Sequence, residues 1–396
     1  MRIIVSGGGT GGHISPVLAV VTELQKLDKT IELLYIGSVD GQESKIIPQT
    51  GIKYVGIAAG KFRRYHNNRI LNIIDPTTLF ANIGDFFRFV RGYFQAKEII
   101  SEYDPDVVFA KGGFVSLPVG LAANSLHYPV VIHESDSVMG IANKILAKRA
   151  DRVCVSYPLK AYPDVDKSKL IYSGNPVRDD IYGGKKENAI KEFGLDEKIP
   201  TIMVIGGSQG SLVINQVISE ALKDLLTKYQ VIHVAGERDY DWLGFQASKL
   251  DPDLRKRYFL FNFLSGNLKD AYAASDLVIS RAGNNVIAEL AALKRPTILI
   301  PLSTSANSHQ LSNAKILSRM GAAMLLLQDN LAPKPLIRKI SYLFENPDEM
   351  RAMSEKIGTL ATPEAARIVA KEIYSLGQDF AEDKSETGEG NEEKQS

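Results

Sequence analysis

Met1-Arg2-Ile3-Ile4-Val5-Ser6-Gly7-Gly8-Gly9-Thr10-Gly11-Gly12-His13 decides the fold. A β-branched apolar run passes directly into a glycine-rich turn, and a helix-length amphipathic segment follows, which is how a parallel α/β sheet begins. The pattern returns at Thr201 to Ile205, followed by Gly206-Gly207-Ser208-Gln209-Gly210-Ser211. Leu33 to Ile36, Val107 to Ala110, Val130 to Ile132 and Arg152 to Ser156 continue the first series of strands. Leu170 to Tyr172, Val231 to Val234, Tyr258 to Phe261, Leu277 to Ser280 and Thr297 to Pro301 fill out the second. The expectation is two Rossmann-like α/β domains with parallel sheets facing a central cleft, residues 1–164 and 165–362, divided near Asp164 in a polar, proline-containing stretch. Apolar residues at helical spacing from Pro363 to Leu376 predict a terminal helix that packs back on the first domain and ends at Gly377. The acidic remainder, 378–396, is expected to be disordered.

The 396 residues are 44% hydrophobic and 23% charged, in keeping with a globular chain of two domains. The net charge of +1 hides an acidic tail of −5 from Asp379 onward and a body of +6. The single cysteine, Cys154, excludes an intramolecular disulfide framework and fits a reducing compartment. No apolar run reaches the roughly 18 residues of a spanning helix, so neither a transmembrane segment nor a signal peptide is expected.

Gly7-x-Gly9-x-x-Gly12 matches the dinucleotide fingerprint, in which missing Cβ atoms let helix N-terminal amides approach a pyrophosphate. The nicotinamide reading also needs an acidic residue at the end of the second strand, and Leu34-Tyr35-Ile36-Gly37-Ser38 has none. Tight strand-to-helix turns alone would account for any one such motif. A third glycine turn, Lys111-Gly112-Gly113-Phe114-Val115-Ser116, gives the first half two turns at neighbouring strand ends, which suggests a site for a second diphosphate.

Gly8 to His13, Gly112 to Ser116, Ser173-Gly174-Asn175-Pro176-Val177-Arg178 and Gly206 to Gly210 together closely resemble the MurG family, glycosyltransferase family 28. The similarity continues through His133-Glu134 with Gly140 and Asn143, Arg281-Ala282-Gly283 with Glu289, and His309-Gln310 with Asn313, so it covers nearly the whole chain to about Leu376. It implies a GT-B fold and inverting β-1,4 transfer of N-acetylglucosamine. The donor would be UDP-N-acetylglucosamine and the acceptor the undecaprenyl-pyrophosphoryl-N-acetylmuramyl-pentapeptide, lipid I, giving lipid II for peptidoglycan. No cofactor and no obligatory metal are implied. The chain departs from the family pattern at Ser135-Asp136, where many relatives have Gln-Asn, at Asn284-Asn285, and in a longer loop from Leu264 to Leu268.

Site residues follow from the same motifs. Thr10, Gly11, Gly12, Ser208, Gln209, Gly210, Arg281 and Gly283 are expected around the donor. There Arg178 would neutralise charge on the departing UDP, Glu289 would accept both ribose hydroxyls, and His309, Gln310 and Asn313 would lie beside the donor sugar. Gly9, Gly112, Gly113, Ser116, Asp136 and Asn143 are expected around the acceptor, with packing an equal use for Asn143. His13 is the candidate general base, since an imidazole near its unperturbed pKa of about 6.5 takes a proton at neutral pH; orienting the acceptor diphosphate is the alternative. Glu134 and Asp136 are the rival bases, and His133 reads as a core histidine.

Residues 61–91 mix six cations, among them Arg88 and Arg91, with apolar side chains that include Phe86 and Phe87, a composition suited to an anionic bilayer surface. With a polyprenyl-linked acceptor this predicts peripheral attachment at the cytoplasmic face of the cell membrane. No nucleic-acid motif is present. Competing readings are another GT-B sugar transferase with a lipid acceptor, a hydrolysing UDP-sugar epimerase, and a non-catalytic UDP-sugar-binding subunit.

Overall fold

The computed structural model describes all of the chain except residues 10, 62–75, 208–209, 265, 303–307 and 393–396. The chain forms two compact units, Met1–Arg178 with Thr362–Ser396, and Asp179–Ala361.

The first unit holds a seven-stranded sheet in the order β3-β2-β1-β4-β5-β6-β7. The strands are β1 (Arg2–Ser6), β2 (Glu32–Ser38), β3 (Lys53–Ile57), β4 (Val107–Ala110), β5 (Val130–Glu134), β6 (Arg152–Val155) and β7 (Leu170–Tyr172). Every pairing is parallel; Ile3, for example, sits between Leu33 and Val107. Helices on both faces bury the central strands completely, so β1 and β4 carry Ile3, Ile4, Val5, Val107 and Val108 at zero exposure. The second unit holds six parallel strands in the order β10-β9-β8-β11-β12-β13. They are β8 (Thr201–Ile205), β9 (Gln230–Val234), β10 (Tyr258–Phe261), β11 (Leu277–Ser280), β12 (Thr297–Leu299) and β13 (Met324–Leu325).

Three sequence expectations need correction. β7 belongs to the first sheet, paired with β6 through Val153 and Leu170, so the division falls after Arg178 and not near Asp164. A cut at 164 would strip β6 of its outer partner. β3 and β13 have no counterpart among the expected strands: Lys53-Tyr54-Val55-Gly56-Ile57 is a glycine-containing edge strand, and β13 has only two residues.

The terminal helix does not stop at Gly377 but spans Ala365–Glu392. Gly377 lies against Val107 and Met1, where a Cβ would come within 3.0 Å of Val107 Cγ1, so the glycine permits close packing and is not a cap. Beyond it, the Phe380 ring meets Tyr128 edge-on and Lys384 donates to Asp104 at 2.5 Å. The expected docking of this helix holds: Val369, Ala370 and Ile373 are buried in the core with β1 and with the helix Gly11–Leu27.

Both sheets reverse their winding beside their first strand, between β1 and β4 and between β8 and β11. Ligands of open α/β sheets bind at the carboxyl ends of the strands at such switch points. All four of those strand ends carry a glycine-containing motif singled out in the sequence.

Candidate active-site elements

In the first unit the turns after β1 and β4 touch. Gly113 has φ +88°, and a Cβ there would stand 2.2 Å from the Gly8 carbonyl oxygen and 3.3 Å from the His13 ring, so only glycine allows the contact. His13 lies on the helix Gly11–Leu27, its ring against Gly113, with Nδ1 shut off from solvent and without a hydrogen-bond partner. Its pKa is drawn down to about 3, first by burial and then by the charge of Lys111. The sequence-based expectation of a value near 6.5 is therefore not met in the free protein.

Lys111, at the end of β4, is 1% exposed. Its Nζ donates to Ser135 Oγ at 2.6 Å, and Ser135 donates in turn to Asn175 Oδ1 at 2.7 Å. Burial brings its pKa down to about 8, with Glu134 and Asp136 pulling the other way.

Glu134 is buried and its carboxylate is raised above the usual range, chiefly by burial and then by Asp136. It accepts from the backbone N–H groups of Asp136 and Gly140, both at 2.9 Å, and from Asn143 Nδ2 at 3.0 Å. Three donors on one carboxylate make it the organiser of the 134–140 loop, a geometry that favours His13 or Asp136 over Glu134 as proton acceptor. Asn143 also donates to the His133 carbonyl at 2.9 Å, and Ser116 Oγ donates to Gly112 O at 2.7 Å. Both side chains are thus engaged in shaping the turns. His133 is buried with Nε2 at 2.9 Å from Gly174 O, as the core reading expected. Arg178, half-buried, is the last residue of this unit.

Sequence reasoning missed Glu43. It is completely buried and accepts from Gly9 N at 3.1 Å, Ser38 N at 3.1 Å and Ser38 Oγ at 2.7 Å. A Cβ on Gly8, Gly37 or Gly41 would collide with its side chain at 2.2–2.8 Å. Tyr35, which donates to the Gly7 carbonyl, and Tyr54, which donates to the Ser38 carbonyl at 2.6 Å, stack beside it. The glycines at 37 and 41 were the available signal.

In the second unit, Ser208 and Gln209 lie outside the described residues, as does Thr10 in the first. Gly210 has φ +72° and packs on the Ala235 carbonyl, where a Cβ would approach to 2.0 Å. Gly283 is the extended N-cap residue of the helix Asn284–Ala292 and has open space around it. Glu289, half-buried on that helix, accepts from the buried Tyr272 hydroxyl at 3.0 Å.

Arg281 differs from expectation. Its guanidinium is turned inward, donating to Ile300 O at 3.1 Å and Gln328 Oε1 at 2.8 Å, so it braces the ends of β11 and β12. Gln310 and Asn313, on the helix Ser308–Arg319, hold the same ends: Gln310 Oε1 accepts from Leu302 N at 3.1 Å, and Asn313 Nδ2 donates to Ala282 O at 3.4 Å. His309 Nδ1 is buried and has no hydrogen-bond partner among the described residues.

Of the basic and aromatic segment, residues 62–75 lie outside the described residues. The helix Pro76–Tyr103 buries Asp85, Gly92, Ala96 and Ile100 and exposes Phe80, Ile83, Phe86, Phe87 and Phe94, with Arg88 and Arg91 also exposed. Phe80, Ile83, Phe87 and Phe94 follow helical spacing and form one outward apolar stripe. Among the described residues, no helix is long and apolar enough to cross a membrane.

Comparison with known proteins bears on the family and the fold. The glycosyltransferase family 28 N-terminal domain matches residues 3–155, and the family's C-terminal domain matches residues 201–369. A UDP-N-acetylglucosamine–N-acetylmuramyl-(pentapeptide) pyrophosphoryl-undecaprenol N-acetylglucosamine transferase of Clostridium botulinum is 42% identical over 348 residues, 87% of this chain and 91% of the relative. The protein of the same name from Lachnospira eligens is 37% identical over 360 residues, 90% and 94% of the two chains. Among solved structures, Acinetobacter baumannii MurG superposes with a TM-score of 0.70 at 24% identity, covering 94% of this chain and 99% of that one. A Neisseria meningitidis UDP-GlcNAc 2-epimerase bound to UDP-GlcNAc gives 0.64 at 14% identity, covering 95% and 100%. At these identities the structures speak for the shared two-domain fold alone.

Proposed function

The chain belongs to glycosyltransferase family 28, and from that membership we infer its reaction: transfer of N-acetylglucosamine from UDP-N-acetylglucosamine to the N-acetylmuramyl-pentapeptide of lipid I, giving lipid II for peptidoglycan. The observation that carries this is 42% identity over 87% of the chain to transferases of that name, with both family domains present in order. The fold is GT-B, two Rossmann-like units with parallel sheets.

The first unit supports the acceptor reading. Two glycine turns meet at its switch point, beside a histidine whose Nδ1 has no partner. In an inverting transfer the acceptor hydroxyl attacks the anomeric carbon, the bond to UDP breaks on the opposite face, and the hydroxyl proton needs an acceptor. We assign that role to His13. Its low pKa in the free protein keeps the ring unprotonated at neutral pH, and the negative diphosphate of an acceptor on the neighbouring turns would raise its basicity toward the useful range. Gly9, Gly112 and Gly113 line the place for that diphosphate, with Asp136 at its edge. In the second unit we assign the ribose to Glu289 and the donor diphosphate to the Ser208 to Gly210 turn with Gly283; the charge on the departing UDP we assign to Arg178, the last residue of the first unit. His309, with an unpartnered ring nitrogen, is a further donor contact. Gln310 and Asn313 keep the donor side in shape.

The exposed stripe on Pro76–Tyr103, with Arg88 and Arg91, supports peripheral attachment at the cytoplasmic face, where the acceptor's polyprenyl tail would be embedded.

The test is incubation of the protein with labelled UDP-N-acetylglucosamine and purified lipid I. Label in a β-1,4-linked disaccharide lipid is the expected result. Release of N-acetylmannosamine would support the epimerase reading, and UDP-sugar binding without turnover the non-catalytic one.

A further inference from the structure

Among the described residues Lys111 is the most completely buried Lys or Arg of the first unit, and neither the motif nor the reaction explains it. An ammonium cut off from water costs several kcal/mol unless the fold compensates it. Compensation here comes from one strand end, the tip of β5. Ser135 accepts from Nζ at 2.6 Å, while Glu134 and Asp136 supply the counter-charge through space. Ser135 in turn donates to Asn175 at 2.7 Å, so the side chain that holds Lys111 also ties the β5 tip to the Asn175-Pro176 turn. The Lys111 Cβ also sits 3.0 Å from where a Cβ on Gly7 would be, and the His13 carbonyl lies 3.4 Å from the same point. The lysine therefore stands beneath the place where the β1 turn, the β4 turn and His13 converge.

We propose that Lys111 is a positioning residue of the transfer reaction: its buried ammonium, clasped by Ser135 and countered by Asp136, holds the β5 tip in register with the two glycine turns. Transfer then requires this lysine in its charged form. A neutral amine keeps the bond to Ser135 as donor or acceptor but no longer attracts Glu134 and Asp136. The groups facing Lys111 are His13 from the helix after β1, His133 and Glu134 from β5, and Asp136 just beyond that strand. Burial brings the lysine's pKa down to about 8, so the rate should fall as pH rises through that value.

This inference rests on the transferase reading, so wild-type transfer to lipid I is established first, and its absence would fail that reading alone. The experiment is a double-mutant cycle of Lys111→Met and Asp136→Asn, with Lys111→Arg as the conservative variant. Acceptor kcat/KM is measured from pH 6 to 10, with UDP affinity and thermal unfolding on each protein.

Lys111→Met should lose more than about tenfold at pH 7. The double variant, which removes both charges together, should recover at least about fivefold of that, a coupling expected of charges that interact through space. Lys111→Arg should stay active and lose the alkaline limb, because a guanidinium remains charged throughout the range. Asp136→Asn should shift that limb to lower pH, because the carboxylate favours the charged lysine. UDP affinity should be unchanged in all. Wild-type activity in Lys111→Met, additive losses in the double variant, or an alkaline limb that stays in Lys111→Arg would each overturn the proposal. If Lys111→Met does not fold, the limb in Lys111→Arg and Asp136→Asn decides it.

Discussion

Replacing Glu43 with alanine removes the acceptor of three hydrogen bonds from a site with no exposed surface. The Ser38 hydroxyl is free to rotate toward another acceptor. The amides of Gly9 and Ser38 are fixed in the backbone, and each donor left unsatisfied costs about 1–3 kcal/mol, so the loss should be about 4 kcal/mol. For a unit of roughly 200 residues that corresponds to a fall of about 8–16 °C in the unfolding midpoint. Glu43→Gln keeps the volume and one oxygen, and should lose less than half as much. The functional effect should fall mainly on the acceptor. The Gly9 amide belongs to the β1 turn, so acceptor KM should rise in the glutamine variant by more than UDP affinity falls, because the proposed ribose contact, Glu289, lies in the second unit. Calorimetry on the three proteins and steady-state kinetics at saturating donor supply the measurements. A Glu43→Ala midpoint within about 2 °C of wild type, together with an unchanged acceptor KM in Glu43→Gln, would refute the view that this carboxylate holds the turn.

Tyr272→Phe deletes the hydroxyl that orients Glu289 and should weaken UDP about 5- to 10-fold, the worth of one hydrogen bond, without moving acceptor KM; equal affinity by titration calorimetry would detach Tyr272 from the donor site. Serine in place of Phe80, Phe87 and Phe94 should reduce partition onto vesicles with anionic lipid by more than about tenfold, since each ring loses its apolar contact with the acyl boundary. Unaffected sedimentation would move the attachment surface elsewhere. Truncation before Asp379 should lower the unfolding midpoint by about 4–8 °C. It removes the Phe380 contact with Tyr128 and the Lys384 and Asp379 ion pairs with Asp104 and Arg152, the exposed pairs contributing the smaller part. A midpoint equal to that of the full chain would restore the disordered-tail expectation.

Composition and local pattern carried the fold class a long way. Strands buried on both faces are continuous β-branched runs, and a glycine turn at the strand end marks the switch point, so β1, β4, β8 and β11 were legible from single stretches of chain. The same logic failed for β3, β7 and β13, whose membership in a sheet depends on which strand stands beside them. It failed again at Gly377, because a glycine that ends a helix and one that lets a helix approach a strand look alike until Val107 is placed against it.

For the site, the sequence determined which residue types were available, and the tertiary structure decided what each one faces. His13 was nameable from its motif. Its basicity was not, because the lowering comes from burial and from Lys111, nearly a hundred residues away in the chain. Arg281 read as a donor contact, yet the packed sheet gives its guanidinium the carbonyl of Ile300. Glu43 had no motif at all: its importance arises because three glycines and two turns, separate in sequence, close around one carboxylate. A buried polar group is defined by its partners, and partners distant along the chain are supplied only by folding.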